Sequence, residues 1–206
     1  KQVLMHGFVL DEHGRKMSKS LGNAIEPQEV TNKYGADVLR FNMLSANPPW
    51  EDLKFNWDAV ETVSRMLNVL WNVHVFATTY MSLDEFNPAK INMGVVRANF
   101  MPEDLWMISR TNSTTLEVTK ALEELDLHHA SRAIANFVLE DLSRWYVRLV
   151  RERVWVEKDD PRKLAAYVVL YQAMHVLIRL LSPFMPHVSE VIYRDLVKSV
   201  SQAPES

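Results

Sequence analysis

The sequence predicts a mainly α chain: an antiparallel helix bundle preceded by a short α/β remnant. Three observations carry this. Apolar residues recur at spacings of three and four over long stretches, as in Val60, Val63, Leu67, Leu70, His74 and Ala77. Prolines and helix-capping residues punctuate those stretches at short intervals. Only the first ten residues hold apolar runs too short for a helix, Val3-Leu4-Met5 and Phe8-Val9-Leu10, separated by His6-Gly7. With 206 residues, 48% hydrophobic and 24% charged, the chain can bury a core of ordinary size.

The elements follow in order. The two apolar runs suit a strand or strand pair at a sheet edge. Two short strands cannot bury themselves, so they belong to a larger α/β domain. Asp11-Glu12-His13-Gly14 is turn chemistry. Glu26-Pro27-Gln28-Glu29 opens a short helix that Gly35 ends. A second helix is expected from Asp37 to Ala46, with Asp37 as its cap and Asn47-Pro48-Pro49 as its stop. Trp50, Leu53 and Phe55 read as loop residues anchored on neighbouring structure. A long helix is expected from Asn56 to Met81, capped by Asn56 or Asp58. The stretch 82–101 has no clear period, and part of it is expected to order against the bundle.

Pro102 starts the next helix, which runs to about Leu125. After a tight connection, another runs from Ala130 to Val156. Asp159-Asp160-Pro161 is a capped restart. The helix from Pro161 to Leu181 is apolar nearly all round, the mark of a buried central helix. Ser182-Pro183 and Pro186 break it, and a last helix spans His187 to Lys198 before a frayed tail.

Charge and composition exclude several classes. The net charge is −3, which argues against a simple RNA-coating module. Charge is sorted along the chain, however. From Arg144 to Lys163 there are seven basic residues against four acidic ones, and 103–126 compensates on the acidic side. There is no cysteine, hence no disulfide and no thiolate zinc site, and no metal site is expected in this stretch. That fits a reducing, cytoplasmic location. No signal peptide is evident, and no apolar run is read as membrane-spanning, so no membrane partner is expected. The chain opens on Lys1 rather than methionine, which points to a piece of a longer protein.

The chemistry concentrates in Lys16-Met17-Ser18-Lys19-Ser20. Serines and flanking glycines make a poor helix interior, and the run does not alternate like a strand. It reads as a mobile cationic loop. Its ammonium groups, hydroxyls and backbone N–H groups can close on a polyanion, polyphosphate being the natural candidate. A merely solvated basic loop is the plain alternative.

This run, with His6-Gly7 before it and Gly22-Asn23, Pro27, Lys33-Tyr34-Gly35-Ala36-Asp37 and Leu39-Arg40-Phe41 after it, resembles the signature loop of class I aminoacyl-tRNA synthetases. The resemblance implies three parts. Residues 1–25 end a Rossmann-type catalytic domain, 26–55 form a stem-contact-like helical connector, and 56–200 form an anticodon-binding bundle. Within the isoleucyl, valyl and leucyl subgroup, Trp50-Glu51-Asp52-Leu53, Leu70-Trp71-Asn72, and Asp141-Leu142-Ser143-Arg144-Trp145-Tyr146 with Arg151, Arg153 and Trp155 resemble the isoleucyl branch. Valyl is the nearest rival, with leucyl also open. A stand-alone helical RNA-binding module is the alternative from another class.

What the resemblance implies is an ATP-dependent ligase, monomeric as a whole, that joins isoleucine to tRNA(Ile) with Mg2+-bound ATP as substrate. Lys19, supported by Lys16, would stabilise the departing pyrophosphate. Ser18 and Ser20 would donate hydrogen bonds or cap, and Met17 would pack, so residues 16–20 together are the expected ATP-binding set. The family's second signature, a His-Ile-Gly-His-type motif, is absent, and there is no room for its editing domain. This stretch by itself is therefore expected to be inactive.

Arg144, Arg148 and Arg151 recur at four and three on one helix face. They are candidate tRNA-backbone contacts, with a solvated face carrying pairs such as Arg148–Glu152 equally open. Trp145 and Trp155 could stack on an unpaired base, but their helical spacing favours packing anchors. His74 and His175 read as satisfied core histidines, and His128-His129 as a helix-start connection.

Overall fold

The computed structural model describes residues 3–155 and 160–198. Two strands, β1 (Val9–Leu10) and β2 (Leu53–Lys54), pair in parallel, with Val9 opposite Leu53 and Leu10 opposite Lys54. Between them lie α1 (Pro27–Tyr34) and α2 (Ala36–Ser45). The bundle follows: α3 (Trp57–Leu83), the short α4 (Met93–Arg97), α5 (Pro102–Glu123), α6 (Leu127–Asn136), α7 (Arg148–Val154), α8 (Pro161–Leu181) and α9 (Pro186–Tyr193). π-helical turns join α6 to α7 (Phe137–Val147) and extend α9 (Arg194–Lys198).

The caps explain where these helices start. Asn56 accepts the Asp58 N–H at 2.7 Å, Asp126 the His129 N–H, and Asp160 the Arg162 N–H. Pro102 opens α5, and the Asp104 carboxylate accepts the Met101 N–H at 2.9 Å. His128-His129 thus fall in the first turn of α6, the expected helix start. The expected cap Asp159, the helix end at Val156, and Glu157, Lys158 and the tail beyond Lys198 lie outside the described residues.

Helix α8 is the axis of the core. Ala165, Ala166, Tyr167, Val168, Val169, Leu170, Ala173, Met174, Leu177, Ile178 and Leu181 are all buried. By length and composition it could cross a membrane, contrary to the reading that no apolar run would reach that length; here its apolar surface is covered by α4, α5, α7 and α9.

Three expectations need correction. Val3-Leu4-Met5 is exposed and not a strand, because among the described residues nothing pairs with it; the only parallel partner, β2, is taken by Val9-Leu10. Trp50 is exposed, whereas Leu53 and Phe55 are buried anchors as read. Asp37 does not cap its own helix: its carboxylate accepts the N–H of Val188 at 2.7 Å and of His187 at 3.4 Å, so it caps α9. Pro186 at the first position of α9 leaves those following N–H groups in need of an acceptor.

The stretch 82–101 is largely ordered. Phe86 is buried edge-on against Tyr167, a 3-10 turn spans Pro88–Lys90, and Val96 of α4 is buried. The connector α2 is bolted to the bundle at both ends. Arg40 donates to the Pro183 and Phe184 carbonyls, and Arg132 to those of Ser45 and Ala46.

Candidate functional site

The loop at 16–20 hangs from one buried carboxylate. Asp11 sits at the end of β1 and is 5% exposed. Its Oδ1 accepts the N–H groups of His13 (3.0 Å) and Arg15 (2.8 Å), and its Oδ2 accepts Arg15 Nε and Asn23 Nδ2, both at 2.9 Å. The Asn23 amide and the Arg15 N–H, with the Arg15 guanidinium, hold its pKa far below the usual carboxylate range. Gly14, at φ +77°, closes this tight turn. Asn23 then reaches across the loop: its Oδ1 accepts the Ser18 N–H at 2.9 Å, and its Nδ2 also donates to the Lys16 carbonyl at 3.2 Å.

The loop backbone is therefore fastened while its lysine heads stay in solvent. Lys16 bridges back to Leu10 through its backbone, and its Nζ lies 5.4 Å from the centre of the Phe8 ring. Lys19 Nζ rests 3.1 Å from Glu26, with both side chains mostly exposed, so that pair is weak and easily exchanged. Ser18 is the N-cap of a 3-10 turn over Lys19–Leu21 and contacts the Ser20 hydroxyl at 2.7 Å. Met17 packs on the core. Two exposed ammonium groups on an anchored turn can meet a polyphosphate with little backbone reorganisation.

A second surface lies on the bundle. Arg144, Arg148 and Arg151 line one open groove of about 430 Å³, with Asn72, Val73 and Phe76 of α3 forming the opposite wall. Arg144 pairs with Glu140. Among the described residues Arg148 and Arg151 are in no ion pair, so the Arg148–Glu152 pair considered from sequence does not form. Beyond the groove the rings of Phe76 and Tyr80 are 5.1 Å apart, and Trp155 Nε1–H donates to the Tyr80 hydroxyl at 2.8 Å. Trp155 is 60% exposed and is not the packing anchor its spacing favoured. Trp145 does pack, at 3.9 Å between ring centres with Trp106.

Behind the groove lies a network that the sequence reading missed. Asp104, fully buried, accepts from the Tyr146 hydroxyl (2.7 Å) and Arg153 Nη2 (2.8 Å), and Arg153 Nη1 donates to Glu103 at 2.6 Å. Burial, then the Asp104 charge, pushes the Tyr146 pKa well up. Burial opposes the Arg153 charge, but its bonds to Asp104 and Glu103 outweigh it. The signal available was the capping pattern Pro102-Glu103-Asp104. What it could not show was a tyrosine 42 residues on. His74 is buried as expected, with Nε2 3.1 Å from Asp195 but Nδ1 unpartnered. His175 is half-buried, its pKa lowered by burial and then by Arg179. Among the described residues there is no group of three or more side chains suited to hold a metal.

Two family models match this chain. Residues 1–56 match the family described as tRNA synthetases class I (I, L, M and V), and 104–205 match the anticodon-binding domain of tRNA ligase. The chain is 59% identical, over its whole length, to the isoleucine–tRNA ligase of Methanothermobacter marburgensis, and 56% identical over 96% of its length to that of Pyrococcus abyssi. It spans about a fifth of the length of these relatives, 20% and 18% respectively. Among solved structures, the LeuRS chain in the ternary complex of LeuRS, tRNA and LeuAMS from Agrobacterium radiobacter K84 superposes with a TM-score of 0.67 at 25% identity, covering 93% of this chain and 22% of that one. Mycobacterium tuberculosis methionyl-tRNA synthetase with methionyl-adenylate shares the fold, with a TM-score of 0.72 at 20% identity, covering 95% and 40%.

Proposed function

This chain belongs to the class I tRNA synthetases, and we propose that it serves within an isoleucine–tRNA ligase as the pyrophosphate-stabilising loop and the anticodon-binding bundle. The whole enzyme joins isoleucine to tRNA(Ile) in two steps. The amino acid carboxylate attacks the α-phosphate of Mg2+-bound ATP, the bond to the β-phosphate breaks, and pyrophosphate leaves from isoleucyl-adenylate. The terminal adenosine of the tRNA then takes the isoleucyl group and AMP departs.

Negative charge grows on the leaving oxygens in the first step. Cations that engage them more strongly there than in the ground state accelerate it. Lys19 plays that part, exchanging Glu26 for phosphate, and Lys16 supports it. The Ser18 and Ser20 hydroxyls already bond one another and shape the turn. Residues 1–25 thus close the catalytic domain, 26–55 form the connector, and 56–200 form the bundle. In the bundle, Arg144, Arg148 and Arg151 meet the tRNA backbone, and Trp155 offers an exposed ring to an unpaired base. The enzyme acts in the cytoplasm as a monomer.

The observation that carries this reading is the loop itself: an anchored backbone bearing two solvent-facing ammonium groups. The test is Lys19→Ala in the full-length enzyme. Isoleucine-dependent ATP–pyrophosphate exchange should drop on the order of a hundredfold. Unchanged exchange would remove Lys19 from the chemistry.

A further inference from the structure

We propose that Asn23, oriented by Asp11, is a positioning residue that holds the backbone of the 16–20 loop in its working shape. The proposal rests on the reading of that loop as the pyrophosphate-stabilising element. The amide of Asn23 spans the loop from the far side. It accepts from the Ser18 N–H and donates to the Lys16 carbonyl, so the chain is gripped two residues apart with Met17 between. That grip needs the amide fixed in one of its two flips. Asp11 fixes it, because an acceptor-only carboxylate 2.9 Å away admits the NH2 and rejects the carbonyl oxygen. Asp11 is itself immobile, buried and bonded to the N–H groups of His13 and Arg15 and to the Arg15 side chain.

The order is therefore strand end, carboxylate, amide, loop. Asn23 touches neither nucleotide nor amino acid in this scheme. Its effect is to present Lys16 and Lys19 from a fixed base, so that only their flexible side chains must be ordered when the transition state forms. Misplacing reacting groups by about an ångström is enough to cost a large factor in rate. The expected signature is therefore in kcat, with little change in KM for ATP.

The test uses the full-length enzyme and two variants. Asn23→Asp keeps the size of the side chain and its acceptor for Ser18, but loses the donor to the Lys16 carbonyl and sets a second carboxylate against Asp11. Exchange kcat should fall about tenfold, with KM for ATP within about twofold and the melting temperature unchanged, since the bundle is untouched. In a separate Asn23→Ala variant the Ser18 amide should lose its protection from hydrogen exchange, a readout independent of turnover. Wild-type kcat in Asn23→Asp or undiminished Ser18 protection in Asn23→Ala would each overturn the proposal. Lys19→Ala, run alongside, separates the two levels. If it too exchanges normally, the reading of the loop fails; if it is crippled while Asn23→Asp is not, only the positioning role does.

Discussion

Replacing Arg148 and Arg151 together by glutamine tests the bundle groove most directly. Both side chains are exposed, line one groove, and are in no ion pair among the described residues. Glutamine keeps the helix propensity and much of the aliphatic stem, so the fold should be nearly indifferent, within about 0.5 kcal/mol. The electrostatic effect is calculable. Each phosphate neutralised adds about 0.7 to 0.9 to the slope of log affinity against log salt. Two lost contacts should flatten that slope by roughly 1.4 to 1.8. Between 50 and 200 mM salt, wild-type affinity for tRNA(Ile) should therefore fall about tenfold more than that of the variant. Filter binding across a salt series with the full-length protein reads this. Arg144→Gln alone should do less, because Arg144 already answers Glu140. Parallel salt plots for wild type and the double variant would refute the assignment, since a groove that releases no counterions touches no phosphates.

Other outcomes follow from the buried network and the strand pair. Asp104→Ala leaves Tyr146 and Arg153 without their shared acceptor and should destabilise the bundle by about 3–5 kcal/mol, read by denaturant unfolding. Tyr146 has a folded pKa raised above its ordinary 10.0 by burial and by Asp104. Its contribution is thus complete below about pH 10 and lost as pH rises further, because the unfolded chain ionises first. Melts from pH 8 to 11 should show that decline, and Tyr146→Phe should remove part of it. Gly7→Ala places a Cβ 2.4 Å from the Glu51 carbonyl oxygen, a backbone atom that cannot step aside. The β1–β2 pair should part, so the Leu53 and Phe55 amides, which donate to Phe8 and Leu10, lose exchange protection while the bundle melts as before.

Much of the fold was legible because its signals are local. Asn56 and Asp160 cap N–H groups two residues on, Pro102 opens its own helix, and the apolar face of α8 repeats without interruption. The lysine loop was legible for the same reason, as a run of residues no regular element accepts. What escaped depends on distant partners. Asp11 read as turn chemistry, and its turn is real, but its hold on Asn23 crosses 12 residues. Asp37 read as a cap and is one, on a helix 150 residues later. Such residues declare a chemical capacity locally and find its object only in three dimensions.

Trp155 shows a different failure, the choice of the wrong face. Trp155 follows Arg144, Arg148 and Arg151 at four, three and four, so the ordinary period puts it on their exposed face, whereas Trp145 packs on Trp106. Trp145 lies within the eleven residues of π-helical turns, Phe137–Val147, and Trp155 ends the α-helix that follows. In such turns each residue advances by a smaller angle, so the face presented by every later residue is rotated away from the ordinary count. The trace was present in the sequence: Phe137, Leu142 and Val147 are apolar at a spacing of five, and all three are buried. Past those turns the ordinary period resumes, so Arg148, Arg151 and Trp155 share a face at spacings of three and four, with Arg144 one turn before; the arginines line the groove, and Trp155 stands beyond it, held by Tyr80. The arginines and the indole therefore form one cationic and aromatic surface, the pairing of charge and stacking face on which the proposed RNA contact depends.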